Sequence, residues 1–152
     1  MANYYGKART NYFTVSNKEK FEDIVGRCGI ADGEIEIIDD GNEKYGFMCD
    51  GSILGLPDID EDNLVNDESE GDDYEDDYDY SYGLFCKELQ GVIPEGEAII
   101  ITEIGSEKMR YLTGFSSIIT KNQMSHIDLR QVCLSKAREL LGDNNYDTQM
   151  EY

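Results

Sequence analysis

The chain has 152 residues, of which 39% are hydrophobic, and a formal net charge of −20. This length fits a single domain that can bury a core without a metal or a disulfide. The charge argues against direct binding of nucleic acid, which needs Lys and Arg to neutralise phosphates, and against docking on acidic lipid membranes.

No hydrophobic signal-peptide core follows Met1, and no apolar stretch approaches the length of a membrane span. The four cysteines lie far apart, without zinc-ligand spacing. This favours reduced core thiols in a cytoplasmic protein over a disulfide framework. We expect one soluble domain over residues 1–152, with no cofactor and no metal.

The first half of the sequence predicts a strand, a helix and a β-hairpin. Residues 12–15 have strand composition, and Ser16 with Glu19 forms a capping box. Apolar residues then follow at helical spacing as far as Cys28, and Gly29 stands where a C′ glycine ends a helix. Residues 34–38 and 45–49 alternate as strands around the turn signal Asp40-Gly41.

The second half predicts a helix, three or four strands and a last helix. Phe85, Leu89 and Ile93 share one helical face, and residues 98–102 are apolar on both faces, as in a central strand. Residues 109–113 and 115–120 read as strands separated by a bulge or bend at Gly114. A short strand at 125–127 precedes a helix that Asp128 caps and Gly142 ends, and the tail at 143–152 is expected to fray. The apolar positions of that helix are Leu129, Val132, Cys133, Ala137, Leu140 and Leu141.

An acidic segment separates the two halves. Residues 58–79 contain thirteen Asp or Glu and no Lys or Arg. Because like charges repel and few apolar residues are present, we expect an insertion at about 56–80. The predicted order is β-α-β-β-insertion-α-β-β-β-α. This order indicates an α+β fold, a mainly antiparallel sheet with about three helices covering one face.

The acidic segment has three interpretations. It could be a solvated linker, an interaction segment for a cationic groove, or an ordered mimic of nucleic acid. Tyr74, Tyr78, Tyr80 and Tyr82 favour the last two, because tyrosines are enriched at interfaces, although Tyr80 and Tyr82 also fit the start of the packed second half. A calcium loop fails, because Asn63 stands where an EF-hand requires Gly and Ser69 stands where it requires Glu.

The acid-free opening, residues 3–13, is the second distinctive stretch. It carries three tyrosines with Lys7 and Arg9. An N-terminal strand and its lead-in, with Arg9 pairing locally against the acidic body, is favoured over a recognition patch. Catalysis finds little support, because His126 is the only histidine and has no nucleophile motif beside it.

Two groups of residues carry a resemblance. Residues 3–15 with Glu19-Lys20-Phe21, and residues 104–114 with Ile127-Asp128-Leu129, resemble small proteins encoded by plasmids, phages and other mobile elements of bacteria. Proteins of this size, acidity and genetic setting are similar in character to anti-defence proteins, namely anti-CRISPR inhibitors and anti-restriction DNA mimics. The resemblance implies the cytoplasm of a bacterial host cell and a basic, nucleic-acid-binding partner.

The sequence therefore predicts a non-enzymatic inhibitor that binds a CRISPR effector and blocks DNA binding. The alternative is a phage structural or regulatory protein–protein module whose acidic segment is a solvated loop. A homodimer through a self-pairing edge strand is also open. The predicted partner-binding residues are Asp58, Asp60, Glu61, Asp62, Asp72, Asp73, Tyr74, Glu75, Asp76, Asp77, Tyr78 and Asp79.

Overall fold

The computed structural model describes residues 4–58, 79–107 and 111–148, and these form an antiparallel sheet with three helices. The predicted α+β class is thus confirmed, with one additional two-residue strand, β4. The strands are β1 (Tyr4–Thr10), β2 (Gly29–Asp39), β3 (Tyr45–Pro57), β4 (Tyr80–Ser81), β5 (Ile99–Glu107), β6 (Tyr111–Ile119) and β7 (Met124–Asp128). The helices are α1 (Lys18–Arg27), α2 (Tyr82–Gln90) and α3 (Leu129–Leu141).

The strands of the main sheet follow the order β2-β3-β1-β5-β6-β7, and β4 pairs only with β3. β1 lies in the centre, paired along its whole length with β5 and at three positions with β3. The predicted strand at 12–15 is wrong. Phe13 makes only an isolated bridge to Tyr45, because its fully buried ring packs edge-on against Phe21 instead of continuing β1.

The hydrophobic core lies between one face of this sheet, the inner face, and the helices α1 and α2. The two helices bury their predicted apolar stripes there, since alternate strand residues and every third or fourth helix residue point the same way. The fully buried side chains include Phe13, Phe21, Ile24, Phe47, Phe85, Leu89, Ile93, Ile99, Ile101 and Ile119.

Helix α1 begins one residue later than the capping box predicted. Asn17 is the N-cap, and its side-chain oxygen accepts a hydrogen bond from the N–H of Lys20 at 3.0 Å. Ser16 instead bonds the carbonyl oxygen of Val92 through both its N–H and its hydroxyl, which ties the start of α1 to the segment after α2. Gly29 is not a helix cap but the first residue of β2, where the ring of Tyr80 occupies the space of a side chain.

A bulge bends the pairing of β2 with β3. The register shifts between Ala31 and Glu34, where Asp32 has a φ of 63° and Gly33 lies so close to Asp50 that a Cβ would overlap its carbonyl oxygen. Gly51, opposite, has a φ of 130°. Such a bulge increases the local twist and lets β3 leave its neighbour.

Beyond Asp50, β3 is no longer paired with β1. The N–H of Ile53 donates instead to the carboxylate of Glu103 at 3.2 Å. Glu103 is 4% exposed and also accepts a hydrogen bond from the side chain of Ser52. Burial raises the pKa of Glu103, and these two hydrogen bonds oppose that rise only in part.

Strand β6 continues through Gly114 in regular register, so the predicted bulge there is wrong. A glycine is present because the side chain of Leu129 packs 3.2 Å from the position of its missing Cβ. Asp128 caps α3 as predicted, with its carboxylate 2.9 Å from the N–H of Arg130, and Gly142 ends the helix with a φ of 68°. The proposed strand start at 109 lies outside the described residues.

Candidate functional site

The acidic segment leaves the fold and returns to it at a single point. Pro57 pairs with Tyr80, and the N–H of Asp58 donates to the carbonyl oxygen of Asp79 at 2.7 Å. Both of these predicted site residues are exposed. The other ten predicted partner-binding residues, 60–62 and 72–78, lie outside the described residues.

This point is anchored to the core through β4 and α2. Gly55 has a φ of 111°, and a Cβ on it would collide with the backbone of Ser81. Ser81 then caps α2, accepting a hydrogen bond from the N–H of Leu84 at 3.0 Å. Leu56 beside it is 1% exposed. The base of the acidic segment is therefore fixed on the side of the sheet that the helices cover.

The opposite side of the sheet, here the open face, carries a second candidate site. Side chains there follow two rows that the strand registers define, each crossing the sheet from β2. One row contains Glu34, Asp50, Lys7, Ile104 and Gly114, and the next contains Glu36, Met48, Arg9, Thr102 and Ser116. Sequence reasoning missed this surface, because it expected β5 to be covered on both faces.

Charges on the open face are concentrated at its β2 side. Lys7 and Asp50 form an ion pair at 2.8 Å, so these two charges offset each other. The guanidinium of Arg9 lies 5.9 Å from the centre of the Tyr12 ring. Within the described ranges, Lys7 and not the predicted Arg9 forms the local ion pair of the opening segment. No described residue forms an ion pair or hydrogen bond with the side chain of Glu34 or Glu36.

Apolar side chains are concentrated on the other half of the open face. Ile104 is 58% exposed, Leu112 is 67% exposed and Tyr5 is 69% exposed. A groove of about 520 Å³ runs between the two halves, with Met48 and Ile104 among its lining residues. Contiguous exposed apolar side chains of this kind mark interaction surfaces.

Helix α3 flanks the open face on the side of β6. Leu129 contacts the open face at Gly114, beside Ile104. Among the described residues, α3 buries none of its own side chains: Leu129, Val132 and Leu140 are 55%, 50% and 78% exposed. The sequence predicts helices that cover one face of the sheet; α1 and α2 fill the inner face, whereas α3 leaves these apolar side chains exposed.

His126 belongs to a hydrogen-bonded chain that leads into the core. Its Nδ1 lies 2.8 Å from the hydroxyl of Ser117, which lies 2.8 Å from the hydroxyl of Tyr82. Ser117 is fully buried and Tyr82 packs against Phe115, so neither hydroxyl can reach a substrate from solvent. Burial raises the pKa of Tyr82, and the hydrogen bond with Ser117 only partly opposes this rise. The arrangement fits a structural histidine.

Three of the four thiols are buried and weakly reactive. Burial raises the pKa of Cys28 to about 12 and the pKa values of Cys49 and Cys86 to about 11. A thiol must ionise to act as a nucleophile or metal ligand, so these three are poorly suited to either role. Cys133 on α3 is exposed, and all four are free.

Within the described ranges, no group of three or more His, Cys, Asp or Glu residues is arranged to hold a metal ion. Within the same ranges, no helix has both the length and the apolar character needed to cross a membrane. Comparison of the chain with protein-family models, with curated proteins and with solved structures finds no match.

Proposed function

We propose that this chain is a non-enzymatic inhibitor of a host nucleic-acid-processing defence protein, and that its target is a CRISPR effector. Its carboxylates occupy Lys and Arg sites that otherwise hold DNA. The observation that carries this proposal is the concentration of charge, because residues 58–79 hold thirteen carboxylates and no cation. Such a surface steers association with a basic groove and competes with phosphates for it.

The geometry at the base of the acidic segment supports this role. Because Asp58 and Asp79 are hydrogen-bonded to each other, all the charge between them is presented from one point of a packed fold. The remainder of the chain contributes a formal charge of only −7. The segment is therefore the strongest electrostatic attraction that the protein offers to a cationic partner.

The chemistry of the described residues supports binding over catalysis. The three buried thiols have raised pKa values, and the only histidine, although exposed, bonds a serine whose hydroxyl is fully buried. General acid–base or nucleophilic catalysis needs such groups to reach a substrate.

The test is a pull-down of a CRISPR effector with its guide on the tagged protein, across a salt series and with or without target DNA. Capture that fades with salt and is blocked by DNA is expected. One variant neutralises six carboxylates of the segment to Asn or Gln: Asp72, Asp73, Glu75, Asp76, Asp77 and Asp79. Its matched control neutralises six exposed carboxylates elsewhere: Glu19, Glu22, Asp23, Glu43, Glu95 and Glu139.

The segment variant should lose capture while the control keeps it. If the segment variant inhibits as well as the unmodified protein, the acidic segment does not act by competing with DNA, and a folded surface carries the binding.

A phage structural or regulatory protein–protein module is the second candidate, because the open face exposes apolar side chains such as Ile104 and Leu112. Removing residues 59–78 separates the two. If the protein binds through its folded surface, the shortened variant keeps its partner. If it binds through the acidic segment, the shortened variant loses its partner.

A further inference from the structure

Within the described part of the chain, two surfaces are left uncovered, and they complement each other. The first is the groove on the open face, acidic on the side of β2, where Glu34 and Glu36 have no ion-pair partner among the described residues. The second is helix α3, whose exposed apolar residues Leu129, Val132 and Leu140 lie within one stripe at 3.6 residues per turn.

The charges of the two surfaces are opposite. Helix α3 contains three cationic residues and one acidic residue, a formal charge of +2 in a chain of −20. Lys136 lies within its exposed stripe and is paired with Glu139 only across the solvated helix surface. The β2 side of the groove offers the carboxylates of Glu34 and Glu36, on alternate residues of one strand and therefore about 7 Å apart.

The dimensions are compatible. From β2 to β5, the part of the open face beside which Leu129 does not pack, the sheet crosses three strand spacings, about 14 Å. A helix of 13 residues, the length of α3, is about 20 Å long and therefore spans it. Covering a sheet face with a helix is the usual way in which an antiparallel sheet buries its second side. The β6 side of the face already has α3 beside it through Leu129, which leaves the β2 side free.

We propose that the open face binds helix α3 of a second copy of this chain, in a reciprocal two-fold dimer. Each α3 lies over the groove of the other subunit, with its apolar stripe on Met48 and Ile104 and with Lys136 toward Glu34 and Glu36. A two-fold axis uses both surfaces twice and leaves neither of them exposed.

The distribution of negative charge permits this dimer. The acidic segment starts and ends next to β4, which leads directly into α2 on the inner face. The points at which the two acidic segments join the fold therefore lie away from the open faces, and salt screens the repulsion between the two subunits.

The test is sedimentation velocity of the full chain at 10 to 200 µM in 0.15 M NaCl. A species of twice the 17.2 kDa chain mass that grows with concentration is expected. A helix variant, Leu140→Lys, and a face variant, Glu34→Lys/Glu36→Lys, should each weaken the dimer about tenfold or more. Glu43→Lys/Glu95→Lys changes the charge equally outside the open face and should leave the dimer intact.

Mixing the two variants distinguishes this arrangement from helix-to-helix or face-to-face pairing. A heterodimer joins the normal face of the helix variant to the normal α3 of the face variant, which keeps one of the two contacts. The mixture should therefore dimerise more strongly than either variant alone. A monomer at 200 µM, a dimer that only one variant weakens, or a mixture no better than its components would overturn the proposal. Circular dichroism checks that both variants are folded. The experiment involves no partner protein, so a result that overturns the dimer does not count against the proposed inhibitory function.

Discussion

Replacing residues 59–78 with Asn-Gly should leave the fold intact and make it more stable. Asp58 and Asp79 already form a hydrogen-bonded antiparallel pair, with 2.7 Å between the N–H nitrogen and the carbonyl oxygen. Two residues in a type I′ turn close such a pair directly, and Asn-Gly is the preferred sequence. The replacement removes eleven carboxylates and changes the formal net charge from −20 to −9.

The expected gain follows from loop closure. Shortening a loop from twenty residues to two reduces the closure entropy by 1.5 RT times the logarithm of the length ratio, which is about 2 kcal/mol at 25 °C. Reduced charge repulsion adds to this gain at low ionic strength. Urea unfolding of both proteins, followed by circular dichroism, measures the difference in the free energy of unfolding.

A decrease in the free energy of unfolding, or a variant that does not fold, would refute this reasoning. Either result would mean that residues 59–78 contribute packing that the β3–β4 pairing does not supply. As a control, inserting ten Gly/Ser residues at the turn of the shortened variant should lower its free energy of unfolding again by about 1.5 kcal/mol.

Three further predictions concern the fold and its thiols. Glu103→Ala should cost about 2–4 kcal/mol, because it leaves the N–H donor on β3 unpaired in the core. Burial raises the pKa of Glu103 above its ordinary value of 4.5, so its protonated form stabilises the fold at low pH, and this stabilisation is lost as pH rises through the folded pKa. In urea unfolding, Glu103→Gln should therefore lose less stability than the unmodified protein as pH rises above 4.5. Gly33→Ala should lower the free energy of unfolding by about 3 kcal/mol or more, because its Cβ collides with the backbone of Asp50. Gly26→Ala has open space around its Cβ and should raise the free energy of unfolding by about 0.5–1 kcal/mol. Equal effects of the two substitutions would contradict the bulge geometry. At pH 8 a thiol reagent should modify one cysteine per folded chain and none after Cys133→Ser, and faster labelling of the three buried thiols would show that the core opens.

Helical periodicity located α1 and α3 well, because a stripe at 3.6-residue spacing and a capping residue are both local signals. The same approach missed β1. Its inward side chains are small or polar, such as Gly6, Ala8 and Thr10, and its outward ones include charges, so no apolar alternation marks it. β1 is a strand because β5 pairs with it along its whole length, and that long-range contact is invisible in a local pattern.

The candidate sites likewise include features that the sequence shows and features that depend on long-range contacts. The charge of the acidic segment is evident from composition alone, but the meeting of its two ends at Asp58 and Asp79 depends on a bend in β3 that no local pattern shows. The open face was missed for a related reason. Residues 99–101 are apolar on both sides, which predicts burial on both, yet among the described helices the two that join the core, α1 and α2, lie on the inner side.

The pairing of Asp58 with Asp79 also bears on how this protein can change. A segment whose ends are already held together adds little further cost as it grows, because doubling its length costs only about 0.6 kcal/mol in closure entropy. Its sequence and length can therefore vary across generations without repacking the core between the sheet and α1 and α2. In the laboratory the same position is a natural insertion point, where a foreign peptide or a reporter domain with neighbouring termini can be displayed on an unchanged fold.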